Sequence, residues 1–220
     1  ISKMLTDSYQ GLKKQLRGIR TTQKLTKAMR TVSTVKFSKL NEIYGEYSKY
    51  GRQCRSIFKQ YGQFFMDSIG EVNPDAPELI IVMTSNKGLC GKFNAEILAF
   101  AEEKMKSFVS PLLVACGKKA IAYFRDNGYK LEKEYVFEDV PTYQESNSML
   151  QEITAWRTEG KISKIHLIYP KYVNMMNQIP TMSELFSVEK FEDEDAILFM
   201  PDKETINHRI AKVVFRAMFY

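Results

Sequence analysis

The sequence predicts an α/β protein: a small, mostly parallel sheet domain flanked by long N- and C-terminal helices that form an antiparallel coiled coil. Three observations carry this. Apolar residues recur in heptad register through the first 65 residues, with no proline before Pro74. From Leu79 onward, short apolar runs alternate with stretches of helical spacing. After Asp202 the helical spacing returns, at Ile206, Ile210, Val213, Val214 and Ala217. With 220 residues, 44% of them hydrophobic, the chain has enough for one domain plus something extended.

The N-terminal element is read from two interleaved sets. Leu5, Leu12, Ile19, Leu40, Tyr47, Cys54 and Tyr61 fall seven or a multiple of seven apart. Tyr9, Leu16, Phe37, Tyr44, Phe58 and Phe65 do the same, offset by four and then three. This is the a/d seam of a coiled coil. About 60 residues at 1.5 Å each reach on the order of 90 Å, longer than a compact domain, so the helix is expected to project. The seam breaks at four successive heptad positions, Gln23, Thr26, Arg30 and Ser33. Two readings fit the break. One is a wet segment or register drift. The other is a helix that faces a surrounding protein there.

The body follows "NPDAP" (73–77). Leu79–Met83 is a run of five apolar residues, which reads as a strand buried on both faces. A glycine-bearing loop leads into helical spacing at Ile97, Leu98, Ala101, Met105 and Phe108. "PLLVACG" (111–117) is a second strand. "KKAIAYFRDNG" is a helix with Gly128 where a C-terminal cap belongs. "EKEYVF" (132–137) is a third strand. Residues 145–159 form a helix with Met149, Leu150, Ile153 and Trp156 on one face. "KIHLIYPKY" and "SELFSVEKF" are two more strands. Alternation of strand and helix predicts a small, mostly parallel Rossmann-like sheet covered by helices. The boundaries expected are 1–70 for the long helix, 71–203 for the body and 204–220 for the start of the second long helix. That last helix stops at Tyr220 with its apolar face still running, so a further C-terminal segment is expected.

Charge is unevenly placed. Residues 1–65 carry 14 Lys or Arg against Asp7, Glu42 and Glu46, a net of +11. The remainder holds 18 basic against 23 acidic residues, a net of −5. No Asp or Glu lies between Asp7 and Glu42. Solvated helix faces normally mix both signs, so an acid-free run of this length points to a polyanionic or acidic partner. No apolar run reaches a membrane span and no signal-like segment stands at Ile1, so any membrane link is expected through another protein. Three scattered cysteines, Cys54, Cys90 and Cys116, favour a reducing compartment and buried thiols over a disulfide framework.

Tests for chemistry come back weak. "NKGLCGKFN" follows a strand and opens a helix, but Gly88 and Gly91 stand two residues apart where a P-loop needs four. The dinucleotide fingerprint fails as well, because it begins Gly-x-Gly. The bland reading is a tight turn. Two histidines, His166 and His208, and no paired cysteines argue against a metal site. His166 in an apolar strand reads as a satisfied core residue. Cys90 near a helix start is an activated-thiol candidate, against which the structural reading is preferred. The expectation is no catalytic residues, no cofactor and no metal.

Two segments nevertheless carry a specific resemblance. "TTQKLTKAMRTVSTVKF" is similar to the N-terminal signature helix of the gamma subunit of F-type ATP synthases, and "TSNKGLCGKFN" resembles that family's loop after its first strand. "YPKYVNMMNQIPT" and "FMPDKETI" resemble two later family segments in the right order, so the likeness runs along the whole chain. The C-terminal signature helix of the family has no counterpart here, nor does the cysteine-bearing regulatory insert of the chloroplast type.

The resemblance implies a rotor shaft without an active site of its own. In the family, two antiparallel helices thread a hexamer of alpha and beta subunits, while the body sits on a membrane ring of c subunits beside the epsilon (or delta-equivalent) subunit. Carried over residue by residue, Lys27, Met29, Arg30 and Lys36 would meet acidic loops of the beta subunits. Met200 and Asp202 would lie in the foot near the membrane ring and epsilon. The implied location is peripheral on an energy-coupling membrane, on the cytoplasmic face of a bacterial plasma membrane or the matrix side of a mitochondrial inner membrane. The competing reading is a nucleic-acid-binding protein that tracks phosphates with its basic helix. Against it, the aromatic residues of the arm sit in the seam rather than where bases would stack. A nucleotide-dependent enzyme in the body is a third reading, opposed by the glycine spacing.

Overall fold

The computed structural model describes residues 2–66, 73–138 and 142–185. The second long helix expected at 204–220 and the foot residues Met200 and Asp202 lie outside them. The chain divides into two units, 1–49 and 50–220.

Helix α1 (Ser2–Met66) is one uninterrupted 65-residue helix, as the absence of proline allows. All of the described part of the first unit is this helix. Its seam residues Leu12, Leu16 and Ile19 stand exposed, at 62%, 50% and 66%. From Tyr50 on, the helix belongs to the unit that holds the sheet. There Cys54 is buried in that unit's core.

The body contains β1 (Leu79–Met83), α2 (Phe93–Met105), β2 (Leu112–Cys116), α3 (Lys118–Asp126), β3 (Lys133–Tyr135), α4 (Tyr143–Thr158), β4 (Ile165–Tyr172) and β5 (Gln178–Leu185). The sheet order is β3-β2-β1-β4-β5. The first four strands are mutually parallel and β5 is antiparallel to β4. Because successive side chains of a strand alternate between faces, the central strands build two cores. Leu79, Ile81, Val114, Cys116, Ile165 and Leu167 face α4, with Met149, Leu150 and Ile153, and Cys54 of α1. Ile80, Val82, Leu113, Ala115 and Ile168 face α2 and α3, with Ile97, Leu98, Ala101, Ile121 and Phe124. β1 sits in the middle and is covered on both sides, which is why it reads as an unbroken apolar run.

The local signals act as their chemistry dictates. Thr142 accepts from the Glu145 N–H while the Glu145 carboxylate accepts from the Thr142 N–H, a reciprocal cap that starts α4. At the end of α3, Gly128 takes φ +77 and donates to the Arg125 carbonyl, while Tyr129 donates to that of Phe124.

Three boundaries differ from the sequence reading. The strand expected at "SELFSVEKF" (183–191) starts five residues earlier, at Gln178; its part beyond Leu185 lies outside the described residues. "EKEYVF" shortens to Lys133–Tyr135 at the sheet's edge. α2 ends at Met105, and Phe108 reaches the core from the turn that follows.

Between β3 and α4, the Glu152 carboxylate accepts from Lys133 Nζ at 2.7 Å and from Tyr135 Oη at 2.6 Å. The Lys133 hydrogen bond, and then that of Tyr135, hold this carboxyl below its ordinary 4.5. A carboxylate with a depressed folded pKa contributes stability that is complete above 4.5 and is lost as pH falls through the lower folded value. Urea melts between pH 7 and pH 3 should therefore show the wild-type body losing more stability than Glu152→Gln, which has no such carboxylate to protonate.

Candidate interaction surface

The acid-free stretch forms the exposed surface of α1 within the first unit. Lys27, Met29, Arg30 and Lys36 are all exposed, Met29 at 41%. At about 100° per residue, Lys27 and Arg30 lie about 60° apart, Met29 and Lys36 about 20° apart, and the two pairs point to opposite sides of the helix. The helix therefore does not gather the four on one face. It presents cations in more than one direction.

The break in the seam is real as a polar face, since Gln23, Thr26, Arg30 and Ser33 are exposed. What the heptad reading missed is that apolar residues continue on another side. Leu25, Met29 and Val32, spaced four and three, are exposed at 60%, 41% and 55%. Leu25 lies about 200° around the helix from Gln23. Spacing of i, i+4, i+7 out of register with the first seam was the signal that could have found them.

In the body, the loop after β1 was the candidate for phosphate binding. Its first three residues, Thr84, Ser85 and Asn86, hold the sheet's end together, while Lys87, Leu89, Cys90 and Lys92 are exposed. Thr84 Oγ1 accepts from the Ala120 N–H at 2.8 Å, and Asn86 Oδ1 from the Lys118 N–H at 3.1 Å. The Ser85 carbonyl accepts from the Lys119 N–H at 3.3 Å. These are the first three amides of α3, the groups that face an anion when a helix start binds one. Ser85 and Asn94 bond to each other across the loop, and Asn86 donates to the Phe137 carbonyl at 2.7 Å. Lys92 pairs with Glu96, whose hydrogen bond and charge raise the pKa of the ammonium.

Buried thiols are found at Cys54 and Cys116 but not at Cys90, which is exposed in the loop with Asn94 Nδ2 3.1 Å from its sulfur. Cys116 is buried, and burial pushes its thiol up to about 12, which makes it unreactive. His166 is buried, with Nε2 against the Glu78 carboxylate and its ring 4.9 Å from that of Phe108. The satisfied core residue expected there is found at one nitrogen only, since Nδ1 has no partner among the described residues. Among the described residues no group of three or more His, Cys, Asp or Glu is placed to hold a metal, and no helix is long and apolar enough to cross a membrane.

The family model described as ATP synthase matches residues 8–220. A relative in Pelotomaculum thermopropionicum, an ATP synthase gamma chain, is 28% identical over 85% of this chain and 68% of its own length. The chain belongs to the ATP synthase gamma family. A second gamma chain, from Desulforamulus reducens, is 25% identical over 96% of this chain and 80% of its own. Among solved structures, the central stalk and c-ring assembly of the Tetrahymena thermophila mitochondrial ATP synthase contains a chain that superimposes with a TM-score of 0.58. Identity is 15%, over 89% of this chain and 91% of that one, so the likeness is one of fold. As a gamma-family chain, this protein is a subunit of a larger complex, and the stretch with the specific N-terminal resemblance is the exposed cationic stretch of α1.

Proposed function

We propose that this chain is the central rotor shaft of an ATP synthase, coupling ion-driven rotation of a membrane ring to ATP synthesis or hydrolysis in the beta subunits. The observation that carries this is the acid-free, fully helical and exposed stretch of α1 in a chain that the family matches over residues 8–220. Charge attraction is long-ranged and weakly directional, so it suits a part that passes equivalent partners in turn. A deep pocket would trap the shaft at each of them.

In this reading the partners are the alpha and beta subunits of the catalytic hexamer, the epsilon or delta-equivalent subunit and the ring of c subunits. Lys27, Met29, Arg30 and Lys36 face acidic loops of the beta subunits, and Met200 and Asp202 belong to the foot. Residues 1–70 and 204–220 supply the two shaft helices and 71–203 the body. The chain is non-catalytic and sits peripherally on an energy-coupling membrane, on the cytoplasmic face in bacteria or the matrix side in mitochondria. The first amides of α3 are filled by Thr84, Ser85 and Asn86, which supports a scaffold role for that end of the sheet.

The test has two arms. Calorimetry on the purified chain should detect no ATP binding, and mixing it with alpha and beta subunits should yield one co-purifying complex that hydrolyses ATP. Micromolar affinity for ATP in the chain alone, or failure to associate with alpha and beta subunits, would overturn the proposal.

A further inference from the structure

The end of α3 is closed by a clasp. Besides the two backbone bonds from Gly128 and Tyr129, the Tyr129 ring packs edge-on against that of the buried Phe124, with centroids 5.3 Å apart. Its hydroxyl donates to the Glu102 carboxylate of α2 at 3.3 Å. Between helix and clasp stands Asn127, exposed, whose Nδ2 donates to the Tyr123 carbonyl at 2.8 Å.

Asn127 is the only asparagine in the chain that a glycine follows. Gly128 has no Cβ to crowd its backbone nitrogen. That nitrogen is therefore a nucleophile able to reach the side chain of the residue before it.

We propose that Asn127 is a self-modification site, an asparagine that deamidates through the Gly128 nitrogen, and that the clasp at the end of α3 keeps it shut. The Gly128 nitrogen gives its proton to water and bonds to Asn127 Cγ. The Cγ–Nδ2 bond breaks, and the nitrogen leaves as ammonia with a proton from solvent. Water then opens the cyclic imide. Attack at the former side-chain carbonyl gives an aspartate, and attack at the backbone carbonyl gives a chain that continues through the former side chain. Nothing is oxidised or reduced, and water is the one co-reactant.

In the folded body both nitrogens are engaged, Gly128 N with the Arg125 carbonyl and Asn127 Nδ2 with that of Tyr123. Attack needs the last turn to open and Tyr129 to leave Phe124, a local unfolding event. Solvent already reaches Asn127 and Gly128, so the clasp and not burial sets the rate. The product closes the turn poorly. A carboxylate has no proton to give the Tyr123 carbonyl. It also places a second negative charge beside Asp126 at a helix C-terminus, where the helix dipole already opposes one.

The experiment incubates the full-length chain in warm, weakly alkaline buffer, folded and in urea. Trypsin cuts after Arg125 and Lys130, and mass spectrometry of the peptide between them reads the change from amide to acid. In the folded chain Asn127 should change faster than any other asparagine, yet about tenfold or more below its rate in urea, the factor by which a closed turn outweighs an open one. Tyr129→Ala, still helical by circular dichroism, should close most of that gap. Tyr129→Phe keeps the ring, loses the tie to Glu102 and should close part of it. Should the alanine variant unfold, Tyr129→Phe carries the comparison alone, and a rate equal to wild type then counts against the proposal. Gly128→Ala should slow the reaction even in urea, because the added carbon crowds the attacking nitrogen. Equal rates folded and in urea, equal rates in wild type and a folded Tyr129→Ala, an unslowed Gly128→Ala, or faster change at another asparagine would each overturn the proposal.

Discussion

Gly117→Ala should unfold the body under conditions where the wild type is stable. Gly117 joins β2 to α3 at φ +93 and ψ 144, a conformation that is nearly glycine-only. A Cβ there would lie 2.3 Å from the Thr84 carbonyl oxygen and 2.9 Å from its carbon. Neither side can give way cheaply. The Gly117 N–H donates to the Tyr135 carbonyl at 2.8 Å, the Thr84 N–H to that of Cys116 at 2.9 Å, and Thr84 Oγ1 holds the start of α3. Backbone strain of about 1–3 kcal/mol and overpacking of about 1–3 kcal/mol together reach, at their upper end, the lower end of an ordinary domain's stability, about 5–15 kcal/mol. Gly128→Ala is the matched comparison. Its φ is +77, but nothing lies within 4 Å of the added carbon, so it should cost only the backbone term, about 1–2 kcal/mol. Urea melts followed by circular dichroism check both, and equal losses at the two sites would show that the clash with Thr84 is not the dominant effect.

The second large effect expected is on coupling. Lys27→Glu, Arg30→Glu and Lys36→Glu together should leave the chain folded and assembled yet reduce ATP-driven ion pumping at least tenfold, about 1.4 kcal/mol. One exposed ion pair is worth about 0–1 kcal/mol, but each reversal turns an attraction into a repulsion, and three act at once. The opposed directions of Lys27 with Arg30 and of Lys36 allow the effect to be divided. If the stretch is read from all sides, the double variant and the single variant should each lose part of the coupling. High salt should narrow the gap between wild type and variants, because exposed charges are screened. Normal pumping by an assembled triple variant would sink the electrostatic account.

The parts of this molecule that were legible in the sequence are those where one physical demand acts alone. β1 is buried on both faces, so Leu79–Met83 had no choice but to be apolar throughout. α1 shows because nothing interrupts 65 residues of helical spacing. β5 was misplaced because Pro180 argues against a strand, and only its position at the sheet's edge makes a proline tolerable there. Phe108 was assigned to a helix by its spacing from Met105, although the helix had ended and the side chain reached the core from a turn. In the interaction surface, Lys27, Arg30 and Lys36 were visible as a run of one sign. Leu25 and Val32 were not, because stepping by sevens samples one stripe and they occupy another.

The pairing of Pro170 with Pro180 in the last two strands has a consequence for the company this protein keeps. Val173 donates to the Asn177 carbonyl, and bonded and non-bonded pairs alternate along an antiparallel ladder. Gln178, Pro180, Met182 and Glu184 therefore turn their backbone groups away from β4. Among the described residues β5 is the outer strand, and its eight residues would be a template for another chain's strand to join. Pro180 has no N–H, so a newcomer would meet a missing rung two residues from the start of β5 and be left with an unpaired carbonyl. The body thus carries its own obstacle to edge-to-edge aggregation, written as a single imino acid in the strand where sheet growth would begin.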